Sequence, residues 1–502
     1  MVLFAAASSL DGRGGGPIPG DTSMTPDHDN NPYTSPAARR AYLNQLDQIA
    51  TLSEVDRDLV RLGQMPGLWR WIEQITATGG CAHPIYLRGH STTIDTTTGE
   101  VVRHYTTRDE PGERLAVRCR NRRAGRCPSC SYQYQGDTFQ LVRAGLIGGK
   151  GVPDSVREHP RVFATLTAPS FGQVHRAGPC HPGRRPSCEH TNPLGCGLVH
   201  ADDDPLVGQA LCLGCYDYTG HVLWNAHAGT LWKAFRDNLY HHLAARVGAS
   251  RTAVRRQVRV SAAKVAEYQR RGAIHFHAVL RLDGPDGPGS TPPPWATVEL
   301  LLTVIETAAA AVALQAPDSA AYGERQLIFG DQLEAHALTH GDGGRITDDQ
   351  VAAYVAKYTT KSVETAGALD KRIESYRQIR TMPVSGHVRA LVGTSWRLGG
   401  LPQLETLRLR DCAHMLGYRG HCLSKTHAYS TTYGTLRAVR VAHRTDAPLA
   451  DAETVTESAW RYAGSGHTPG GASLAAGISE AIIQNREIAR EALAEADGGV
   501  IG

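Results

Sequence analysis

At 502 residues, with 41% apolar and 20% charged side chains, the chain has the balance of a globular protein of roughly two to four domains, which excludes a collagen, a coiled coil and a wholly disordered polymer. The longest apolar candidate, Ala296 to Ala316, carries Glu299 and Glu306, so no membrane span is expected. The opening MVLFAAASSL lacks the basic start and long apolar core of a signal peptide, so a cytoplasmic location is expected, and a net charge of +4 does not by itself announce a nucleic-acid partner.

Residues 1–31 are rich in Gly, Pro, Ser, Asp and Asn and are expected to form a disordered leader. From 32 to 78, apolar residues at helical spacing (Leu52, Val55, Leu59, Leu62, then Leu68, Trp69, Ile72) predict a small helical segment. The stretch 79–218 is broken by Gly, Pro, Cys and His, the pattern of a module stabilised by metal more than by a large core. Within it, Val162 to Thr167 alternates and stops at Pro169, which predicts a strand inside 160–170. The region 219–400 reads as the central core. It offers a helix from Tyr218 to Val247, a β-hairpin from Arg259 to Leu282, a Pro/Gly loop from Gly284 to Pro294 and a helix to about Leu314. A strand around Gln326 to Leu338 and a helix starting near Asp348 follow, the latter announced by the capping-box pair Thr347 and Gln350. In the basic segment 401–446, the stretch between Leu407 and Arg444 carries Arg408, Arg410, Arg419, Lys425, Arg437, Arg440 and Arg444 against one acid, Asp411. Such a patch suits DNA, with Tyr418, Tyr429 and Tyr433 available to stack on bases; a solvated basic face produces the same pattern. Residues 447–502 predict a helical or disordered tail.

Three groups of residues carry chemistry. In Ile274-His275-Phe276-His277-Ala278-Val279-Leu280, alternate strand residues share a face, so His275 and His277 project together. If Arg270-Arg271-Gly272 is a three-residue hairpin loop, Glu267 faces His275, and one carboxylate with two imidazoles suits Mg²⁺ or Mn²⁺ acting on phosphate; a two-residue turn would put Glu267 on the opposite face. In Tyr354-Val355-Ala356-Lys357-Tyr358-Thr359-Thr360-Lys361, the two tyrosines stand one above the other on a helix, each followed three residues later by one of only seven lysines, Lys357 and Lys361. A phenol is both a good nucleophile for phosphorus and a good leaving group, and a neighbouring ammonium assists either step. The same octapeptide could also be the packed edge of an amphipathic helix.

The third group is cysteine. Nine of eleven cysteines lie between Cys81 and Cys215, and Cys127-Pro128-Ser129-Cys130 and Cys212-Leu213-Gly214-Cys215 are two zinc-type knuckles. Both knuckles could share one ion. The preferred partition has two structural Zn²⁺ sites, one of Cys81, Cys119, Cys127 and Cys130 and one of Cys188, Cys196, Cys212 and Cys215, because it uses the surplus cysteines and closes short loops. Cys180, His190 and His200 are substitutes, and Cys412 and Cys422 are ordinary thiols.

In order, PRVFATLTAPS, GAIHFHAVLRLDG and YVAKYTTK resemble the three motifs of HUH endonucleases, and the doubled tyrosine is similar to the gene A initiators of small single-stranded DNA phages. The wider pattern, through GGCAHPIYLRG, CRNRRAGRCPSC, LVRAGLIGGKG, LCLGCYDYTG, EYQRRG and HMLGYRGH, resembles the RepSA-type replication initiators of actinobacterial plasmids and integrative elements from about Gly79 to Arg444. The resemblance implies an α+β fold: an HUH nuclease core with an antiparallel, ferredoxin- or RRM-like palm, a zinc-binding module and a basic C-terminal segment. It implies rolling-circle initiation, with a site-specific nick, a 5′-phosphotyrosyl intermediate and a 3′-hydroxyl that primes synthesis. His275 and His277 carry over as metal ligands and Tyr354 and Tyr358 as nucleophiles, with origin DNA, a host helicase and a polymerase as partners. It leaves open the third ligand and which tyrosine acts first. A two-tyrosine HUH transposase and a non-catalytic, zinc-stabilised DNA-binding regulator are the alternatives; the absence of a G-x-x-x-x-G-K-[ST] motif argues against an attached helicase.

Overall fold

The computed structural model describes residues 51–181, 187–193, 195–338, 347–360, 366–367, 371–445 and 454–498, together with Ala37, Arg40 and Asn44. The expected leader 1–31 lies outside the described residues. From residue 51 onward the described elements start with α1 (Glu54–Gly63), whose first turn is capped by Ser53, and α2 (Leu68–Ala77). Three strands follow, β1 (Ile85–Asp95), β2 (Val101–Thr106) and β3 (Leu115–Val117), and then α3 (Pro128–Ile147), which starts with proline at its first position.

The central body is built around β4 (Arg161–Leu166). The loop region after it holds two minimal strands, β5 (Gly178–Pro179) and β6 (Val199–His200), before the long α4 (Tyr218–Arg246) and short α5 (Arg251–Gln257). The hairpin β7 (Arg259–Tyr268) and β8 (Ile274–Asp283) comes next, then α6 (Val298–Ala310), β9 (Leu314–Gln315), β10 (Gln326–Leu327), β11 (Leu333–Ala337) and α7 (Asp348–Thr359). After α8 (Tyr376–Thr381) and α9 (Gly386–Leu398), β12 (Leu423–Lys425) and α10 (Tyr433–Thr445) complete this body. The last elements are β13 (Thr454–Ser465) and α11 (Pro469–Gly498).

Strands β11-β4-β8-β7-β12 form one sheet in that order, every neighbouring pair antiparallel, with the His-x-His strand in the middle. Alternation sends Ala262, Tyr268, Ile274 and Phe276 into a core with Trp224, Leu231 and Phe235 of α4 and Leu301 and Ile305 of α6. The opposite face, with Phe163, Ala263, Val265 and Val279, packs on Leu141, Val142 and Leu146 of α3 and Val351, Ala352 and Val355 of α7. Helices on both faces explain why Ile274 to Leu280 of β8 reads as an apolar run interrupted by two histidines. Fold class is therefore α+β with antiparallel sheets.

A smaller body joins the two ends of the described chain. β1 pairs with β13 along its whole length, from Ile85 opposite Ser465 to Asp95 opposite Thr454, and with β2 and β3 on its other edge. Ala475 of α11 enters a core with Trp71, Ile75, Tyr86 and Ala116. Residues 447–502 thus contribute a strand as well as the expected helix. Nor does the basic stretch 401–446 stand apart: Leu404, Leu409 and Leu416 enter the central core, and β12 is an edge strand of the main sheet.

Candidate active site and metal centres

The β7–β8 turn sets the site. Its loop is Arg270-Arg271-Gly272, closed by Gln269 N–H donating to Ala273 C=O at 2.8 Å, with Gly272 in the left-handed region (φ 85°). This register puts Glu267 opposite His275 and Val265 opposite His277. Glu267 Oε2 lies 3.1 Å from His275 Nε2 and 3.2 Å from His277 Nε2, and the two Nε2 atoms are 3.2 Å apart. Three ligand atoms therefore converge on one point, a group able to hold a metal ion. Glu267 and His277 are buried while His275 is partly exposed, so the group opens to one side. The donor set, one carboxylate with two imidazoles, fits a divalent cation that keeps positions for substrate oxygens.

A neighbouring strand orients this group. Thr165 of β4 stands opposite His277, and its Oγ1 is 3.1 Å from His277 Nδ1. In the tautomer that leaves Nε2 unprotonated, Nδ1–H donates to Thr165, so the hydroxyl both selects the tautomer and aims the ring. Phe163 stacks over the same imidazole, ring centroids 6.0 Å apart. Neither residue stood out in the sequence as part of a site.

Helix α7 is held at both ends. Thr347 and Gln350 form the expected capping box, and buried Arg161 of β4 reaches Asp348 at 2.7 Å in the first turn. At the other end Arg122 Nη1 donates to the Thr359 carbonyl at 2.8 Å. Val351, Ala352, Val355 and Ala356 face inward, which leaves Tyr354 and Tyr358 side by side at the edge with ring centroids 4.3 Å apart. The Tyr354 hydroxyl is 3.5 Å from His277 Nε2, and the Tyr358 ring centroid is 5.4 Å from that of His277. Tyr354 is 38% exposed and so can be reached by a substrate. Burial first, then the Tyr358 phenol and the Glu267 charge, hold its hydroxyl above the usual phenol range. Lys357 is exposed on the same helix, and Lys361 lies outside the described residues.

Among the described residues, nine of the eleven cysteines fall into three clusters. The first is Cys81, Cys119, Cys127 and Cys130, at the start of α3, with Cys81 Sγ 3.8 Å from Cys127 Sγ and 3.6 Å from Cys130 Sγ. Those spacings are far beyond a disulfide and match the edge of a tetrahedron with metal–sulfur bonds of about 2.3 Å. The second is Cys188, His190, Cys212 and Cys215; the Asn192 side-chain amide, 3.2 Å from Cys212 Sγ, draws that thiol down to about 6. Here the expected partition needs correction. Cys196 is not in the second cluster, where His190 takes its place; it sits with His175, Cys180 and His200 in a third, so the clusters number three against the one or two expected. The sequence signal for this was the spacing Cys196-x-x-x-His200.

A profile of the RepSA family, described as "Replication initiator protein, pSAM2", matches residues 67–480. The chain belongs to the RepSA family of replication initiators. A curated "Replication initiator protein" of Streptomyces ambofaciens is 48% identical over 449 residues, 87% of this chain and 95% of the relative. No solved structure matches.

In this RepSA chain the basic residues expected to touch DNA have unequal freedom. Lys425 Nζ is occupied by the carbonyls of Thr426, His427 and Ser430, the last at 2.8 Å, and Arg440 pairs with Asp137 of α3. Arg408 pairs with Asp411, and Arg410 lies over the Trp396 ring with its Nε 3.3 Å from the Trp396 carbonyl. Arg419 is exposed, and Arg437 lines a cleft of about 400 Å³ beside the first cysteine cluster with Arg118, Arg120 and Tyr134. Among the described residues no helix is long and apolar enough to cross a membrane.

Proposed function

We propose that this initiator starts replication by nicking one strand of its origin through tyrosine transesterification, as an HUH endonuclease in rolling-circle synthesis. The observation that carries the reading is the Tyr354 hydroxyl 3.5 Å from His277 Nε2, beside three converging ligand atoms, with a second phenol one helical turn away. The central position of the His-x-His strand in an antiparallel sheet supports the HUH palm.

Tyr354 is the first nucleophile. Its oxygen attacks phosphorus, the bond to the 3′-oxygen breaks, that oxygen leaves with a proton as a primer hydroxyl, and the 5′-phosphate stays on Tyr354 as an ester. Lys357 supplies a cation for the phenolate or the departing oxygen, with Lys361 in the same role for Tyr358. Tyr358 takes the second transesterification that ends the round. Mg²⁺ or Mn²⁺ held by Glu267, His275 and His277 would draw charge from the phosphate oxygens during attack. The Cys81 and Cys212 clusters hold structural zinc. Arg419 and Arg437 are the residues of the basic segment best placed to meet origin DNA, and a host helicase and polymerase act on the nicked product.

The test is supercoiled DNA carrying the cognate origin, incubated with the full chain and Mn²⁺. The expected result is protein covalently attached to the 5′ end of one cut strand. Origin binding with no cleavage, under conditions where a control initiator nicks, overturns the proposal and leaves a zinc-stabilised regulator.

A further inference from the structure

We propose that His175, Cys180, Cys196 and His200 hold a third structural zinc, which pins the loop before α4 onto the turn between β7 and β8. The four ligand atoms lie within 4.8 Å of one another. His200 Nε2 is 3.3 Å from His175 Nδ1 and 3.3 Å from Cys196 Sγ, and Cys180 Sγ is 3.9 Å from His175 Nδ1. With zinc–nitrogen bonds of about 2.0 Å and zinc–sulfur bonds of about 2.3 Å, a tetrahedron has nitrogen–nitrogen edges near 3.3 Å and nitrogen–sulfur edges near 3.5 Å.

The surroundings are built for a ligating histidine. His200 Nδ1 is 2.7 Å from Asp204 Oδ2, the carboxylate–histidine arrangement that aims Nε2 at a metal. Cys180 and His200 are buried, and the two-stranded ribbon β5–β6 brings them together, with Cys180 N–H donating to Leu198 C=O at 2.9 Å. A ribbon of two residues on each side cannot hold itself. His181, adjacent in sequence, turns away and bonds the Val174 carbonyl, so the histidines here are sorted between ligand and scaffold.

The same loop touches the catalytic hairpin. His175 exchanges two backbone hydrogen bonds of 2.8 Å with the 208–209 segment. Arg270 of the turn donates to the Asp204 carbonyl at 3.3 Å. Gly208, at φ +90°, lies so close to Arg270 that a Cβ there would be 2.4 Å from its carbonyl carbon. His175, Gly208 and Arg270 and Arg271 of the turn wall a cleft of about 540 Å³. Zinc in this cluster therefore fixes one wall of the turn whose strands carry Glu267 and His275.

Zinc content of the purified full chain tests the site. Cys180→Ser/Cys196→Ser should hold one zinc fewer than the wild type and exchange amide hydrogens at 204–211 and 269–272 at least tenfold faster. Equal zinc in both proteins overturns the site, and unchanged exchange overturns the pinning role. Should the variant not fold, the wild type decides: the partly exposed Cys196 thiol should resist alkylation until a zinc chelator is added, and equal alkylation with and without chelator refutes the proposal. Neither readout depends on nicking.

Discussion

Two kinds of site occupy this molecule and they are held together differently. Glu267, His275 and His277 sit on strands paired continuously from Arg259 opposite Asp283 to Tyr268 opposite Ile274, with apolar layers on both faces. Main-chain register places their ligand atoms before any ion arrives. The cysteine clusters instead draw on loops, the first turn of α3 and a ribbon of two-residue strands, and Cys215 is exposed. On the proposed reading a bound ion would supply structure there, because loops and so short a ribbon bury little by themselves. A preformed site can lose and regain its cation between reactions, whereas a loop site that loses its ion loses its shape.

The largest effect should come from the phenols. Tyr354→Phe/Tyr358→Phe should abolish the covalent adduct, a loss of about 10³-fold or more, with zinc content and circular dichroism unchanged; an adduct in the double variant would reveal another nucleophile. His277→Ala should slow nicking roughly 10²- to 10³-fold yet leave the thermal midpoint within a few degrees, because the sheet persists. Cys127→Ser should do the reverse in character, costing the smaller body several kcal/mol, read as an early unfolding transition. If His277→Ala unfolds the sheet, or Cys127→Ser leaves stability untouched, the distinction between the two kinds of site fails. Thr165→Val should weaken Mn²⁺ binding about 10- to 100-fold by releasing the imidazole, as followed by titration calorimetry.

The smallest effect concerns the sheet face away from the site. Lys264 is buried 4.3 Å from the Phe276 ring centroid, and burial lowers its pKa from 10.5 to about 8. The folded value lies below the unfolded one, so the penalty is complete below pH 8, and stability rises as pH climbs from about 8 towards 10.5. Lys264→Met should therefore stabilise the protein by roughly 1–3 kcal/mol at pH 7, with the gain shrinking above pH 8 in denaturant titrations. A gain independent of pH would assign it to packing.

What could be read from residues alone followed from local periodicity. The β7–β8 hairpin, with alternation and a Gly-closed turn, and α7, with its capping box, are announced within about a dozen residues each. Helix α3 was not, because its buried side includes Ser129, Ser131, Asp137 and Thr138, and because Gly145 is required where the Tyr429 ring lies against the backbone. Strands β1 and β13 were hidden for another reason: β1 is Thr- and Ser-rich and only half-buried, β13 is largely exposed, and the two pair across hundreds of residues. Thr165 carries no signal of its own, since its meaning depends on standing opposite His277. The histidine in the second cysteine cluster required knowing which loops fold back together.

The pairing of β1 with β13 also governs how the polypeptide must be made. Until Thr454 to Ser465 leaves the ribosome, β1 presents one bare edge of eleven residues, an invitation to self-association. A product ending just beyond α10 would carry the five-stranded sheet in full yet leave that edge of β1 bare.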